Sequence, residues 1–197
     1  MFIQTLIVAS AIIAAPQAQT PPRATPETRP PVQDSATPKQ PAAHPAGLTG
    51  ADATFVKKAA DGGMAEVALA KLAQEKALNA DVKSFAGKLE KDHSKVNDEL
   101  KELASRKDVT LPAATSKIHQ ATHDKLAKLS GAEFDKAYVA TMLESHQKGV
   151  RDFSNVASGS GDADVKAFAS KTLPTLKDHL QQVQELSKSL GVKRPTS

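Results

Sequence analysis

Apolar side chains recur every three or four positions along four long stretches of the chain after residue 50, the spacing of helices that bury one face. This pattern predicts four long helices, with these bounds: Asp52 to about Leu78, the Asn79–Asp81 turn to about Arg106, Ala132 to about Ser158, and Asp162 to about Leu190. A shorter helix is predicted near Ser116–Leu129. No stretch shows the alternation or the β-branched enrichment that is typical of strands, so the sequence predicts an all-α protein.

The lengths of the connections indicate how these helices are arranged. Short links join the first long helix to the second and the third to the fourth, so each pair should be antiparallel. The middle connection, from about Lys107 to Gly131, is long enough to cross the length of a bundle, as ferritin-like folds require. A simple up-and-down bundle with a lid helix is the alternative. We predict a ferritin-like four-helix bundle with a short extra helix between the second and third long helices.

The N-terminal residues have the pattern of an export signal. In MFIQTLIVASAIIAAPQA, residues 6–15 are apolar except for Ser10, a run that is too short to span a membrane and is typical of a signal peptide. Ala18 offers a small residue for cleavage before Gln19, and an uncleaved membrane anchor is the alternative. We predict a signal peptide over residues 1–18, no transmembrane domain after its removal, and a location in the periplasm or cell envelope.

Residues 19–50 differ in composition from the rest of the chain. Nine of the 12 prolines precede residue 50, and large apolar side chains are almost absent from this segment. Such a segment cannot bury enough apolar surface to offset the entropy lost on ordering, so we predict a disordered Pro-rich tether. It is either a spacer that holds the domain away from a membrane or wall, or a leader without function. The helical-bundle domain would then occupy residues 51–197.

Composition narrows the classes of partner and chemistry. The net charge is +4, from 26 basic and 22 acidic residues, and charges of both signs are interleaved as on a solvated helical surface. Nucleic acid is not an expected partner, because the chain has no Trp and one Tyr to serve as stacking platforms. The absence of cysteine excludes disulfides, thiolate metal sites and cysteine nucleophiles.

One ionisable side chain stands in the apolar face of each long helix, near its middle: Glu66, His93, His146 and His179. Glu66 lies about 13 residues before the first link and His93 about 14 after it, so at about 1.5 Å per residue they should meet at one height. His146 lies about 14 residues before the second link and His179 about 19 after it, an offset of about 7 Å along the bundle. The sequence therefore leaves open whether His179 joins the cluster or is only its neighbour.

Buried ionisable groups need partners, because burial without one is costly, and two interpretations provide them. In the first, a Glu–His hydrogen-bond network fixes the register of the helices and binds nothing. In the second, Glu66, His93, His146 and His179 bind one transition-metal ion. Imidazole nitrogens and carboxylate oxygens suit Zn, Cu, Fe and Mn, and helical bundles place metal sites at this position.

A second pair of histidines lies on the predicted short helix. His119 and His123 are four residues apart, so they share a face and form a two-point clamp for a surface metal ion. Two solvated histidines without a ligand are the alternative, since this spacing arises often by chance. Gln120 follows His119 where a glutamate would be needed, which excludes an HExxH protease.

Four stretches of the chain resemble a known family: DATFVKKAADGGMAEVALAKLA, VKSFAGKLEKDHSKVNDELKELA, FDKAYVATMLESHQKGVRDF and LPTLKDHLQQVQEL. They are similar to an exported bacterial ferritin-like family that is catalogued only as a domain of unknown function, with members often named as outer-membrane or periplasmic proteins. The resemblance covers about residues 50–190, and its more specific elements are Asp92-His93 and Leu173-Pro174 followed by His179. It implies a ferritin-like bundle and an envelope location, and it supplies no reaction.

The ligand set of the di-iron ferritins is incomplete in this sequence. Those bundles need a Glu from two helices and a Glu-x-x-His from each of the other two. Glu90 and His93 have this spacing, whereas Leu143 and Leu176 stand at the corresponding positions before His146 and His179. Hydrolase, P-loop, dinucleotide and EF-hand motifs are also absent.

We therefore expect an exported cell-envelope protein that binds a single metal ion (Zn, Cu, Fe or Mn), in preference to an enzyme. The alternative is a non-catalytic structural or stress-associated envelope protein that acts on an envelope protein partner through its exposed helix faces. The sequence does not indicate the oligomeric state.

Overall fold

Five α-helices make up the part of the chain that the structure describes. The structure is a computed structural model, and it describes residues 47–48, 50–159 and 161–192. The helices are, in chain order, α1 (Gly50–Lys76), α2 (Ala80–Arg106), α3 (Lys117–Ala127), α4 (Gly131–Ser158) and α5 (Ala163–Ser189). The prediction of four long helices with a short extra one between the second and third is confirmed. None of the described helices is both long and apolar enough to span a membrane.

The connection between α2 and α4 crosses the whole length of the bundle. At one end, the carboxylate of Asp135 near the start of α4 accepts backbone hydrogen bonds from Leu78 and Asn79 in the α1–α2 link. At the other end, Lys107 after α2 forms an ion pair with Asp162 before α5. Since α2 finishes at one end and α4 starts at the other, the two helices run in the same direction. This is the ferritin-like arrangement, and the up-and-down alternative is excluded.

The apolar core consists of two clusters that lie one after the other along the bundle. The first lies towards the α1–α2 link and includes Leu69, Leu89, Leu143 and Val183. The second lies towards the α4–α5 link and includes Val56, Ala60, Leu100, Val165 and Phe168. On α1, α2 and α5, the buried residues of one cluster are separated along the helix from those of the other by at least two turns. The four polar side chains singled out in the sequence fall between the clusters.

Side-chain caps fix where two of the long helices begin. The side-chain oxygen of Asn79 accepts from the backbone N–H groups of Asp81 and Val82 at 2.8 and 3.1 Å. One oxygen of Asp162 accepts from Asp164 and Val165 at 2.9 and 3.2 Å. Such caps satisfy backbone donors that have no partner within the helix, and both stand where the sequence predicts a long helix to begin.

The predicted signal peptide, residues 1–18, lies outside the described residues, as do residues 19–46 of the predicted tether. Where the described chain begins, the backbone N–H of Leu48 donates to the carbonyl of Lys107 at 3.1 Å. Leu48 also packs against the second apolar cluster, and α1 begins two residues later.

Gly63 allows α1 and α2 to approach closely beside the polar side chains. A Cβ atom at Gly63 would collide with the side-chain amide of Asn97 on α2, whereas a Cβ at the adjacent Gly62 would meet no atom within 4 Å. Gly63 precedes Glu66 by three residues and Asn97 follows His93 by four, so this contact lies one turn from the pair Glu66–His93. The missing side chain therefore leaves room for the Asn97 amide beside this pair.

Opposite changes in stability are expected from alanine at these two neighbouring glycines. Gly62→Ala should raise the free energy of unfolding by about 0.5–1 kcal/mol, because alanine is the better helix former and the space is open. Gly63→Ala should lower it by about 1 kcal/mol, because overpacking against Asn97 outweighs the same gain in helix propensity. Urea unfolding of both variants checks this, and equal stabilisation of the two would contradict a close α1–α2 contact at Gly63.

Candidate metal centre

Three histidine rings meet in the middle of the bundle, one from each of three long helices. The ring centroids of His93 and His146 are 5.7 Å apart, those of His93 and His179 5.3 Å, and those of His146 and His179 5.4 Å. Each ring offers one nitrogen, and these three nitrogens all lie within 4.8 Å of one another. The three side chains are buried. Among the described residues, this is the one group of three or more potential ligands that is close enough to share an ion.

Glu66 on α1 contributes a carboxylate to the same cluster. Its Oε2 lies 2.8 Å from Nε2 of His93, and its Oε1 lies 3.8 Å from Nδ1 of His146. The hydroxyl of Ser145 donates to Oε1 at 2.6 Å. The contact with His93 is close, but it is too poorly aligned to count as a hydrogen bond of Nε2. The pair is therefore held mainly by charge.

Hydrogen bonds fix the outer nitrogens of the other two rings. Nδ1 of His146 donates to the carbonyl of Met142 at 2.9 Å, and Nε2 of His179 donates to Oδ2 of Asp92 at 2.9 Å. These acceptors assign the ring proton to the outer nitrogen, so Nε2 of His146 and Nδ1 of His179 carry lone pairs. Both inner nitrogens are buried without a hydrogen-bond partner in the described part of the chain.

Asp92 is itself held in place by a surface ion pair. Nζ of Lys88 lies 2.7 Å from Oδ2 of Asp92 and 3.1 Å from Oδ2 of Asp178. The Asp92 carboxylate thus links an exposed lysine to a fully buried histidine. A carboxylate behind a histidine is the usual means by which proteins orient a metal-binding ring.

Burial and mutual charge set the protonation of the four inner groups. Burial alone would raise the pKa of Glu66, but the positive charge of His93, and then of His146, outweighs it and holds that pKa well below its usual value. For His93, burial acts to lower the pKa, yet the charge of Glu66 outweighs it and raises the pKa. Burial lowers the pKa of His146 despite the opposing charge of Glu66, and it lowers that of His179 to about 4 despite the bond to Asp92.

Two of the three rings are therefore neutral near pH 7, the form in which a histidine binds a metal ion. His93 and Glu66 form a charged pair, and an incoming cation would replace the proton of His93. The cluster thus needs to lose little more than one proton to offer three neutral imidazoles, with the carboxylate of Glu66 beside them.

Aromatic side chains cover the three histidines and Glu66 on the side that faces the first apolar cluster. The ring of Phe85 lies 6.4 Å from the rings of both His146 and His179, centroid to centroid. Tyr138 is fully buried, and burial together with the negative charge of Glu66 raises the pKa of its hydroxyl, so it stays neutral. The cluster is therefore shielded from bulk water on this side.

The structure brings the three predicted histidines together and places the carboxylate of Glu66 against His93 and His146, outside the group of nitrogens that are close enough to share an ion. Glu66 and His93 meet at one height as expected, and His179 is a full member of the cluster although its Cα lies further along the bundle. Side chains on helices lean towards the N-terminus of their helix. In the antiparallel pair α4 and α5, His146 leans away from the connecting link and His179 towards it, so their rings close the gap of about 7 Å expected between them.

Three supporting groups were missed by the sequence reasoning. They are Ser145, Asp92 and the carbonyl of Met142. Asp92 and Ser145 each immediately precede a cluster histidine, so a step of about 100° around the helix places them beside the neighbouring helix. Glu90 lies outside the cluster, where it accepts a hydrogen bond from Gln74 at 2.7 Å. This agrees with the incomplete di-iron pattern.

The donor set fits one transition-metal ion. Ligand nitrogens on a tetrahedral zinc ion are about 3.3 Å apart, given bonds of about 2.0–2.1 Å. The inner nitrogens, which lie within 4.8 Å of one another, would need to move inward by about 1 Å. Three imidazoles and one carboxylate without thiolate suit Zn, Cu, Fe or Mn better than Mg or Ca.

Comparisons with known proteins place the chain in a family and identify its fold. Residues 37–186 match the family described as "Domain of unknown function (DUF4142)". No curated protein matches the chain.

Solved structures share the fold at low sequence identity. A DUF305 protein from Streptomyces coelicolor, described as secreted, is 16% identical with a TM-score of 0.61, covering 74% of this chain and 97% of its own. A DUF305 fragment from Deinococcus radiodurans is 16% identical with a TM-score of 0.62, covering 74% of this chain and 98% of its own. A protein from Bacillus halodurans described as a spore coat protein is 17% identical with a TM-score of 0.57, covering 77% and 94%. At these identities the likeness establishes the fold alone.

Proposed function

Since the chain belongs to the DUF4142 family of unknown function and folds as a ferritin-like bundle, we propose that it binds a single transition-metal ion in the cell envelope. The ligands are Glu66, His93, His146 and His179. The observation that carries the proposal is the convergence of three buried rings, of which His146 and His179 each have an inner nitrogen without a hydrogen-bond partner among the described residues. An inert polar network would be expected to pair these nitrogens, because an unpaired buried polar atom costs about 1–3 kcal/mol.

The envelope location is supported by the export signal predicted over residues 1–18. Two of the structurally similar proteins are described as a secreted protein and a spore coat protein, which is compatible with a role outside the cytoplasm. The chain's lack of cysteine also suits a metal site that must function in an oxidising compartment.

Metal retention by the purified protein tests this proposal. Protein freed of metal with a chelator is offered Zn²⁺, Cu²⁺, Fe²⁺ or Mn²⁺ separately, dialysed, and analysed for metal content. One tightly held equivalent per chain of at least one of these metals is expected. Retention of none of the four would contradict the proposal, and elemental analysis of protein taken from its native compartment identifies the ion that is bound there.

Metal binding is expected to weaken as the pH falls through the pKa of His93. That pKa is raised because the charge of Glu66 outweighs burial, so His93 is the first of the three rings to hold a proton that competes with the metal. Above this pKa the affinity for the metal should be at its highest. Below it, the affinity should fall about tenfold per pH unit, since the metal must displace one proton from His93. His179, with a pKa of about 4, stays neutral over this range.

Titrations with Zn²⁺ from about pH 8 to about pH 5.5 measure this dependence across the usual range of histidine. An affinity that does not change with pH would contradict a role for His93 as a ligand.

Removal of the carboxylate behind His179 should weaken metal binding without removing a ligand. Asp92→Ala deletes the acceptor that fixes the proton on Nε2 of His179, and such losses typically cost about 10–100-fold in affinity. Lys88→Met is the matched control, because it removes the ion-pair partner of Asp92 and leaves the bond to His179. Competition titrations of both variants check this, and an unchanged affinity of Asp92→Ala would show that His179 does not bind the metal.

A further inference from the structure

A second pair of histidines lines a surface cavity between α3 and α1. His119 and His123 stand four residues apart on α3, and both border a cavity of about 310 Å³. Thr115, Gln120 and Asp124 also border it. A cavity of this size is large enough for a hydrated ion. The side chains of the inner cluster do not line this cavity.

Asp61 on α1 holds the ring of His119 in a defined orientation. Oδ2 of Asp61 lies 3.1 Å from Nδ1 of His119, and Oδ1 accepts the backbone N–H of Ser116 at 2.7 Å, just before α3. One carboxylate thus ties the start of α3 to α1 and favours the proton on Nδ1 of His119. The lone pair is then on Nε2. This repeats the relation between Asp92 and His179 in the inner cluster.

His123 presents its ring to the same space. Its Nδ1 lies 3.5 Å from Oδ1 of the exposed Asp124, a contact longer than a normal hydrogen bond. Residues i and i+4 of a helix have Cβ atoms about 6 Å apart, a separation from which two histidine rings can reach one ion. The side chains of His119 and His123 are 36% and 40% exposed, so an ion can reach them from solvent without any opening of the bundle.

We propose that His119 and His123 form a second, surface metal site that takes a late divalent transition-metal ion, with waters completing its coordination. Two imidazoles favour Cu²⁺, Ni²⁺ and Zn²⁺ over Mg²⁺ and Ca²⁺, which prefer oxygen ligands. Two protein ligands hold an ion less tightly than the four of the inner cluster. The site should therefore bind a second metal ion per chain with lower affinity. It does so whether or not the inner cluster (Glu66, His93, His146 and His179) binds metal.

Calorimetric titration of the signal-free chain with Zn²⁺ alone tests this site. The unmodified protein should show a weaker equivalent that is lost in His119→Ala/His123→Ala and kept in Glu66→Gln/His93→Gln. A control for spacing is His123→Gln combined with Asp124→His, which keeps the number of histidines but breaks the four-residue spacing, and it should lose the weaker equivalent as well. Circular dichroism confirms that each variant is folded. Cu²⁺ bound by Glu66→Gln/His93→Gln should show nitrogen couplings in its electron paramagnetic resonance spectrum, and these should be lost when His119→Ala/His123→Ala is added.

Two results would overturn the surface site. One is a weaker equivalent that survives in His119→Ala/His123→Ala, and the other is an unmodified chain that binds no zinc beyond the equivalent lost in Glu66→Gln/His93→Gln. The chain could also bind a single zinc ion that depends on His119 and His123. If this binding does not depend on Glu66 and His93, the result would support the surface site and refute the inner one. The two proposals can therefore fail separately.

Discussion

His93→Ala should lower the affinity of the protein for its metal ion by at least about a hundredfold. Loss of a group that only orients a ligand already costs about 10–100-fold, and His93 is proposed as a ligand itself. Its ring centroid lies 5.7 and 5.3 Å from those of His146 and His179, and its Nε2 is 2.8 Å from the carboxylate of Glu66. Competition against a chromophoric chelator measures the change, with His119→Ala as a control that leaves the inner affinity unchanged.

The same substitution also affects the stability of the metal-free protein, so a second variant separates binding from folding. His93→Ala leaves the carboxylate of Glu66, whose side chain is only 14% exposed, without its nearest positive partner, which should cost about 3 kcal/mol. Glu66→Gln/His93→Gln removes both charges while keeping polar side chains of similar size, and replacement of both partners of a buried pair is often nearly neutral. We expect this double variant to be about as stable as the metal-free parent and to lack the tight equivalent. Metal binding with parental affinity by the double variant would refute the inner site.

Asp135→Ala should lower the free energy of unfolding by about 3 kcal/mol. The Asp135 carboxylate is buried at 3% exposure and accepts the backbone N–H groups of Leu78 and Asn79 at 3.1 and 2.9 Å. Each hydrogen bond to a charged acceptor contributes about 1.5–3 kcal/mol, and alanine would leave both donors without this acceptor. For a domain of this size the loss corresponds to a fall in Tm of roughly 6–12 °C, measurable by thermal unfolding.

Two further substitutions at the start of α4 define what Asp135 does. Asp135→Asn keeps one carbonyl acceptor and should cost roughly half as much as Asp135→Ala, because the amide NH₂ group cannot accept the second bond. Glu133→Ala removes an exposed carboxylate from the same first turn and should cost less than about 1 kcal/mol, the usual effect of a charge near a helix start. Equal losses for Glu133→Ala and Asp135→Ala would show that the bonds to the α1–α2 link contribute little.

Much of the fold could be predicted from local patterns in the sequence. The helical spacing gave five helices, and Asn79 and Asp162 marked two helix starts because their side chains can accept backbone hydrogen bonds there. The direction of α4 was predicted correctly by the ferritin-like arrangement, although a connection of this length alone permits either a crossing or a lid. The direction is determined by contacts distant in sequence, such as those of Asp135 with Leu78 and Asn79.

The inner cluster was predicted in composition but not in detail. One ionisable residue in each apolar face was sufficient to identify Glu66 and the three histidines, since each had to find a partner. Whether His179 belongs to the inner cluster was left open, because Cα positions along the bundle do not include the lean of side chains towards the N-terminus of their helix. Asp92 could not be assigned to His179, because that requires the packing and rotation of α2 against α5.

Anomalous X-ray scattering from a crystal of the zinc-loaded protein tests the central claim most directly. We predict a zinc peak at about 2.0–2.1 Å from a ring nitrogen of His93, His146 and His179, with the carboxylate of Glu66 beside it. A zinc-saturated crystal without a peak in this cluster, and with Glu66 still paired to His93, would contradict it. The four side chains would then form a polar network that fixes helix register and binds no ion.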